Sequence, residues 1–325
     1  MVTKKTKKVT KSTHKKQVLK KYFPVIQERD VIYERIMNSA TLTNYWRQWT
    51  DDRREEFLDW CSGAKGVKVL YDSFFKEVMN PEYTPDRLNG LLSALLQKNV
   101  RVLKVLPTDS TRIANEQSLV IMDIVVELED GGIADVEVQK CGYAFPGQRA
   151  ACYSADLLLR QYKRVRDEKG KSFQYKDIQP VYTIILIENS SAPFSTMPEH
   201  YVHRIQPTSD TGIDVDLLQT FFFIPLDIFK KKYHNKGIEN ELDAWLAFLS
   251  LDEPEDIVKL ITTYPNFIPM YETIYQMCLS LERMMSMYSK ELEILDKNTV
   301  TYMIDDMQNK INKHSKTIHE QEVTI

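Results

Sequence analysis

Residues 119–140 read LVIMDIVVELEDGGIADVEVQK, and the fold turns on how this stretch pairs with itself. Two runs rich in β-branched residues flank Glu129, Asp130, Gly131 and Gly132, which predicts an antiparallel hairpin. A three-residue loop Glu129, Asp130, Gly131, with Gly131 left-handed, pairs Leu128 with Gly132. Counting outward, Asp123 then faces Glu137, and the two-residue period of a strand keeps Gln139 on the same face as Glu137. A two-residue Asp130-Gly131 turn would instead set Asp123 opposite Val138 and scatter the polar groups.

In the first register two acids meet among Ile121, Met122, Ile124, Val125, Val136 and Val138, where carboxylates are costly to bury without a compensating positive charge. A divalent cation fits that need. Mg²⁺ or Mn²⁺ takes hard oxygen ligands, commonly one or two carboxylates with water and substrate phosphate, and activates a water for phosphodiester cleavage. The alternative for the same residues is a solvated sheet face, or a salt bridge to Arg149.

Outward from the hairpin, Pro146 to Val165 has a helical pattern that sets Arg149, Tyr153, Asp156 and Arg160 along one stripe. Val181 to Ile187 is a nearly continuous apolar run, the pattern of a strand buried on both faces, and Leu217 to Leu226 predicts another strand. Before the hairpin come helical patterns over Glu28 to Trp60 and Asp86 to Gln97, then a strand over Val100 to Val105. After it come a short helix over Asn240 to Leu249 and helical patterns from Glu255 onward, whose methionines read as core packing. Breaks at Ser62, Gly63 and Gly66 suggest a boundary near Gly66, and the lysine run at the start and the helical patterns after Glu255 suggest the others: a basic tail over 1–21, a helical extension over 22–66, a central unit over 67–250 and a helical region over 251–325.

The chain has 325 residues with 43% hydrophobic content, enough for a substantial core. No apolar run approaches the roughly 20 residues of a membrane span, and no apolar stretch follows the basic N-terminus as in a secretory signal. Cys61, Cys141, Cys152 and Cys278 show neither a disulfide framework nor zinc-site spacing, which points to a reducing cytoplasm. Residues 1–21 hold nine lysines and no acid, +9 within a chain of net −3, so the remainder is −12. Lys4, Lys5, Lys7, Lys8, Lys11, Lys15 and Lys16 lead this run, which is suited to a solvated tail and to a nonspecific, salt-sensitive grip on polyphosphate. Nothing in the sequence signals for or against self-association.

Asp123 followed by Glu137, Val138 and Gln139 resembles the D…(D/E)xK signature of PD-(D/E)XK nucleases in its ExQ form, and the chain more specifically resembles the PD-(D/E)XK nuclease family transposases, or recombination-promoting nucleases. The matching pieces are YDSFFK at 71–76, the Leu91 to Leu96 helix, MDI at 122–124, VEVQ at 136–139, and Arg149, Tyr153 and Gln161 in the next helix. Pro180 to Ile187 and AWLAFL at 244–249 extend the likeness, which covers about residues 67–290 in order.

The resemblance implies a restriction-endonuclease-like α/β fold, with a mixed sheet between helices and helical extensions at both ends. It implies metal-dependent cleavage of DNA, with Asp123 and Glu137 as metal ligands and Gln139 at the position of the usual lysine. A neutral amide orients water by hydrogen bonds where a lysine would stabilise hydroxide by charge. Relatives often carry basic residues before the aspartate, where this chain has Glu116, Gln117 and Ser118. Asp72 matches an acid that supports the metal site, or else caps its helix. Lys76 contacts phosphate or pairs with Asp72. Arg149 and Tyr153 hold a phosphate and stack near a base, or form an ordinary helix face, and Gln161 supports the ligands from further out. The rival expectations are a catalytically weakened nucleic-acid-binding or interaction protein of the same fold, and an RNA-directed nuclease.

Overall fold

The hairpin takes the three-residue loop. In the computed structural model, which describes residues 18–108, 123–141 and 146–295, the Gly131 amide donates to the Leu128 carbonyl and the Leu128 amide to the Gly132 carbonyl, both at 2.8 Å. Gly131 has φ of +83°, a conformation that only glycine adopts without strain. Strands β2 (Ile124–Leu128) and β3 (Ile133–Cys141) pair in the register Ile124 with Val136 through Glu127 with Ile133.

This hairpin forms part of a six-stranded mixed sheet, completed by β1 (Val102–Val105), β4 (Val181–Asn189), β5 (His203–Ile205) and β6 (Gln219–Pro225) in the order β1-β2-β3-β4-β6-β5. The β3–β4 and β4–β6 pairs are parallel and the others antiparallel. In β4, Val181 and the run Thr183 to Ile187 are buried and Tyr182 is half-buried, close to what its nearly continuous apolar pattern predicts.

Five helices precede the strands, α1 (Arg29–Met37), α2 (Ala40–Gln48), α3 (Asp51–Cys61), α4 (Asp72–Val78) and α5 (Pro85–Leu96); α6 (Pro146–Lys169) joins β3 to β4 and α7 (Ala192–Ser195) lies between β4 and β5; and α8 (Leu226–Lys236), α9 (Glu241–Ser250), α10 (Pro254–Thr263), α11 (Ile268–Leu279) and a helix over 281–295 follow them among the described residues. The single helical preface expected before Trp60 is three helices. Ser39 separates the first two by accepting the Leu42 amide as an N-cap.

The alternation of β3 sorts the molecule into two sides. Ala134 and Val136 join Val126, Ile184, Leu186, Phe222 and Ile224 in the main core, to which α1–α5 and the helices after β6 contribute. Ile133 points the other way and meets Val125, Val181 and the α6 residues Tyr153 and Leu157. Further along that face Ile185, Ile187 and Phe223 pack on Ala150 of α6.

The main core runs from Leu19 to Leu292, so the breaks read at 66 and 250 mark no gap in packing. At Gly66 the chain touches the α9–α10 junction: its amide donates to the Asp252 carbonyl at 2.7 Å, and a Cβ there would lie 2.5 Å from Ile257 Cδ1. Packing also begins inside the basic stretch, because Leu19 is buried and Lys20 pairs with Glu28. Lys4 to Lys16 lie outside the described residues. Met270, Met277, Met284 and Met285 are core residues, as their pattern suggests, while Met303 and Met307 lie outside the described residues. Among the described residues no helix is long and apolar enough to cross a membrane.

Candidate active site

The three-residue loop fixes what happens at the other end of the hairpin. Asp123 stands just before β2, and continuing the register sets it opposite Glu137. Each carboxylate is locked by the other's strand: the Asp123 amide donates to Glu137 Oε1 at 2.8 Å, and the Val138 amide donates to Asp123 Oδ2 at 2.8 Å. These reciprocal bonds leave Asp123 Oδ1 and Glu137 Oε2 for other partners.

Glu137 is 2% exposed and Gln139, two residues along, is 3% exposed. Neither polar atom of the Gln139 amide has a hydrogen-bond partner among the described residues. A buried amide left unpaired costs about 1–3 kcal/mol, a penalty that natural proteins seldom carry without a use.

Asp135 belongs to the same face, and sequence reasoning passed it over although the two-residue period from Glu137 places it there. It is fully buried, no donor from another described residue reaches either oxygen apart from the Glu137 carboxyl, and it lies against that carboxylate. Burial, then the Glu137 charge, pushes the Asp135 carboxyl well above the ordinary range. Burial, then Asp123, pushes Glu137 up to about 7. Asp123 is also raised, chiefly by burial, although Lys76 and the Val138 amide work against the shift. A shared proton lets Asp135 and Glu137 lie together near neutrality.

Lys76 reaches this cluster from α4. Its ammonium lies 2.8 Å from Asp72 Oδ1 and 3.0 Å from Asp123 Oδ1. Burial disfavours that charge, but Asp123 and Asp72 more than offset it and hold the Lys76 pKa up. The capping alternative for Asp72 is ruled out: Tyr71 is the N-cap of α4, no side chain caps it, and the Asp72 carboxylate pairs with Lys76 one turn on.

Lys140, next in sequence to Gln139, points to the opposite face of β3, as alternation requires. It donates to the Leu70 carbonyl at 2.7 Å, pairs with Glu188 at 3.3 Å, and lies 4.2 Å from the centre of the Tyr71 ring. Lys140 is therefore committed to structure on the far side of the strand.

From α6, Arg149 acts on Glu137 and lowers its pKa. Its guanidinium stacks on the Tyr153 ring, 5.2 Å from the centroid, and donates to the Tyr153 hydroxyl. The base-stacking expectation for Tyr153 fails: its ring is buried among Val125, Ile133 and Leu157 and offers no open face. Gln161 also lies away from the acids. It donates to the Gly131 carbonyl at 3.1 Å and accepts from the Gln179 amide at 2.8 Å. That puts it at the hairpin loop, six residues or about 20 Å from Glu137 along the strand.

Among the described residues no three Asp, Glu, His or Cys side chains are arranged to enclose a metal; Asp123 and Glu137 are the two neighbouring carboxylates that could share an ion. One or two carboxylates are the usual protein share of a Mg²⁺ shell, completed by water and substrate phosphate.

A hairpin leading into a parallel pair, acids at its open end and helices on both sheet faces together define a restriction-endonuclease-like α/β nuclease fold. The family model of the PD-(D/E)XK nuclease family transposases matches residues 69–313, and the chain belongs to that family. No curated protein and no solved structure matches it.

Proposed function

We propose that the protein is a metal-dependent endonuclease that hydrolyses DNA phosphodiester bonds, with Asp123 and Glu137 holding Mg²⁺ or Mn²⁺. The observation that carries this reading is the open end of the hairpin, where two interlocked carboxylates sit beside a buried, unpartnered amide. A bound divalent ion would supply the charge that makes water a nucleophile near neutral pH and offsets charge building on phosphate. Asp123 and Glu137 present oxygens already fixed by backbone amides, so little ordering remains when an ion arrives. Gln139 orients the water through an amide that both donates and accepts. Arg149, at the exposed start of α6, binds a phosphate oxygen. The lysines at 4, 5, 7, 8, 11, 15 and 16 add a backbone grip indifferent to sequence. Membership of a transposase family supports a role in mobile-element or recombination biology.

A second reading, a catalytically weakened nucleic-acid-binding protein of the same fold, is favoured by neutral Gln139 and by Lys76 on Asp123 Oδ1. Purified protein incubated with supercoiled DNA, linear DNA and RNA, with and without Mg²⁺ or Mn²⁺, separates the two. The proposal expects ion-dependent nicking or linearisation of DNA. Binding without cleavage supports the second reading, cleavage of RNA alone changes the substrate, and neither binding nor cleavage overturns both.

A further inference from the structure

We propose that Lys76 supplies, from helix α4, the positive charge that Gln139 cannot bring to the attacking water. This inference rests on the nuclease reading above and goes beyond it, because it assigns the cationic role to a residue remote from the motif in sequence.

Four observations carry it. First, the strand position that would hold a lysine carries a neutral amide, and the neighbouring Lys140 is turned away and held by the Leu70 carbonyl and Glu188. Second, the Lys76 ammonium already touches the site, 3.0 Å from Asp123 Oδ1, the oxygen of that residue left free by the Val138 amide. Third, it is aimed there. Asp72, four residues earlier on α4, holds it at 2.8 Å, and Phe74, Phe75 and Val78 fasten the helix into the core. Fourth, the ammonium has three donors, and the two carboxylates use two of them, which leaves one for a water or phosphate oxygen. The side chain is 37% exposed, so a substrate can reach it.

In the reaction a water oxygen adds to phosphorus, one ester P–O bond breaks, a water proton leaves to solvent and the departing oxygen takes up a proton. Negative charge builds on the attacking oxygen and the phosphate before bond breaking is complete. An ammonium fixed beside Asp123 stabilises that charge without reorganising. Gln139 then keeps the orienting part of the motif position, and Lys76 takes its electrostatic part.

The competing explanation is that Lys76 only fills the place of an ion in the metal-free protein. Single-turnover cleavage of supercoiled DNA and equilibrium Mn²⁺ binding, both on the full chain, distinguish them for Lys76→Met, Lys76→Arg and Lys76→Met/Gln139→Lys. Loss of one charge-stabilising donor costs about 10²–10³-fold in rate, so Lys76→Met should lose about that much. Its Mn²⁺ affinity should stay equal or rise, since a competing cation is gone. Lys76→Arg should retain more activity than Lys76→Met, and adding Gln139→Lys to Lys76→Met should recover at least about tenfold of the loss. Wild-type cleavage rates in a folded Lys76→Met protein overturn the inference and leave the nuclease reading standing, as does a rate loss matched by lost Mn²⁺ binding. A wild-type protein that never cleaves overturns both.

Discussion

The two ends of one hairpin treat an aspartate in opposite ways. At the loop, Asp130 is satisfied: Lys98 donates to Oδ2 at 2.6 Å, the Gly132 amide donates to Oδ1 at 3.0 Å, and these bonds lower its pKa despite partial burial. Gln161 secures the same loop through Gly131 and Gln179. At the open end, Asp123, Asp135 and Glu137 are all raised by burial, and Gln139 and Asp135 keep polar atoms unpartnered among the described residues. One end uses its polar groups to hold the fold, while the other buries three acids together and leaves the Gln139 amide and Asp135 oxygens without a partner among the described residues. The second arrangement destabilises the metal-free chain, and a cation with its water would relieve it.

The largest effect that could break this contrast is on cleavage. Asp123→Ala and Glu137→Ala should each abolish ion-dependent DNA cleavage, a loss beyond the roughly 10–100-fold typical of partners outside a metal's own ligands. Melting temperature should fall little in either, since removing an acid relieves crowding among like charges. A melt checks the folding and a time course of plasmid nicking checks the activity.

At the loop end the pattern should invert. Gln161→Ala strands the Gly131 carbonyl and the Gln179 amide, and should lower stability by about 1–3 kcal/mol in denaturant titrations. Gly131→Ala forces a side chain into φ of +83° and should cost about 1–2 kcal/mol. Cleavage per folded molecule should survive both, and its loss would mean that the two ends are not separable.

Acidity offers a finer test. Glu137 titrates near 4.5 when unfolded and at about 7 in the fold, so the folded chain binds the extra proton between those values. Stability of the metal-free protein should therefore fall as pH rises from 4.5 to 7, by up to about 3 kcal/mol from this group. Glu137→Gln should flatten that slope and make the metal-free protein more stable than wild type at about pH 8. Thermal melts across this range in chelator provide the check, and a slope unchanged by the substitution would remove Glu137 from the account.

The smallest effect belongs to the basic terminus. Because Leu19 is a core residue, the deletion that spares the fold is 1–16, which removes seven lysines. DNA affinity should weaken and the slope of log K against log salt should flatten, by about 0.9 for each phosphate that the tail no longer neutralises. Filter binding at several salt concentrations measures it.

Much of this was legible because β-structure has a short period and a glycine marks its turn. Once Glu129, Asp130 and Gly131 are taken as the loop, counting residues alone brings Asp123 to Glu137 and turns Lys140 away. The same count places Asp135 on that face, but nothing in the local sequence distinguishes it from a lone acid in an apolar strand. Helix α4 is a different case. That Lys76 reaches Asp123 depends on how α4 packs against the sheet, which no local pattern encodes. The burial of Tyr153 among Val125, Ile133 and Leu157, and the bonds of Gln161 to Gly131 and Gln179, depend on how α6 lies along the sheet, which no local pattern encodes.

Equilibrium binding of Mn²⁺, followed by the loss of the free-ion signal in electron paramagnetic resonance, bears most directly on the open end of the hairpin. The account predicts a saturable site in the wild-type protein that disappears in Asp123→Ala and in Glu137→Ala and is retained in Gln161→Ala. Mn²⁺ binding with wild-type affinity in both carboxylate variants would contradict it.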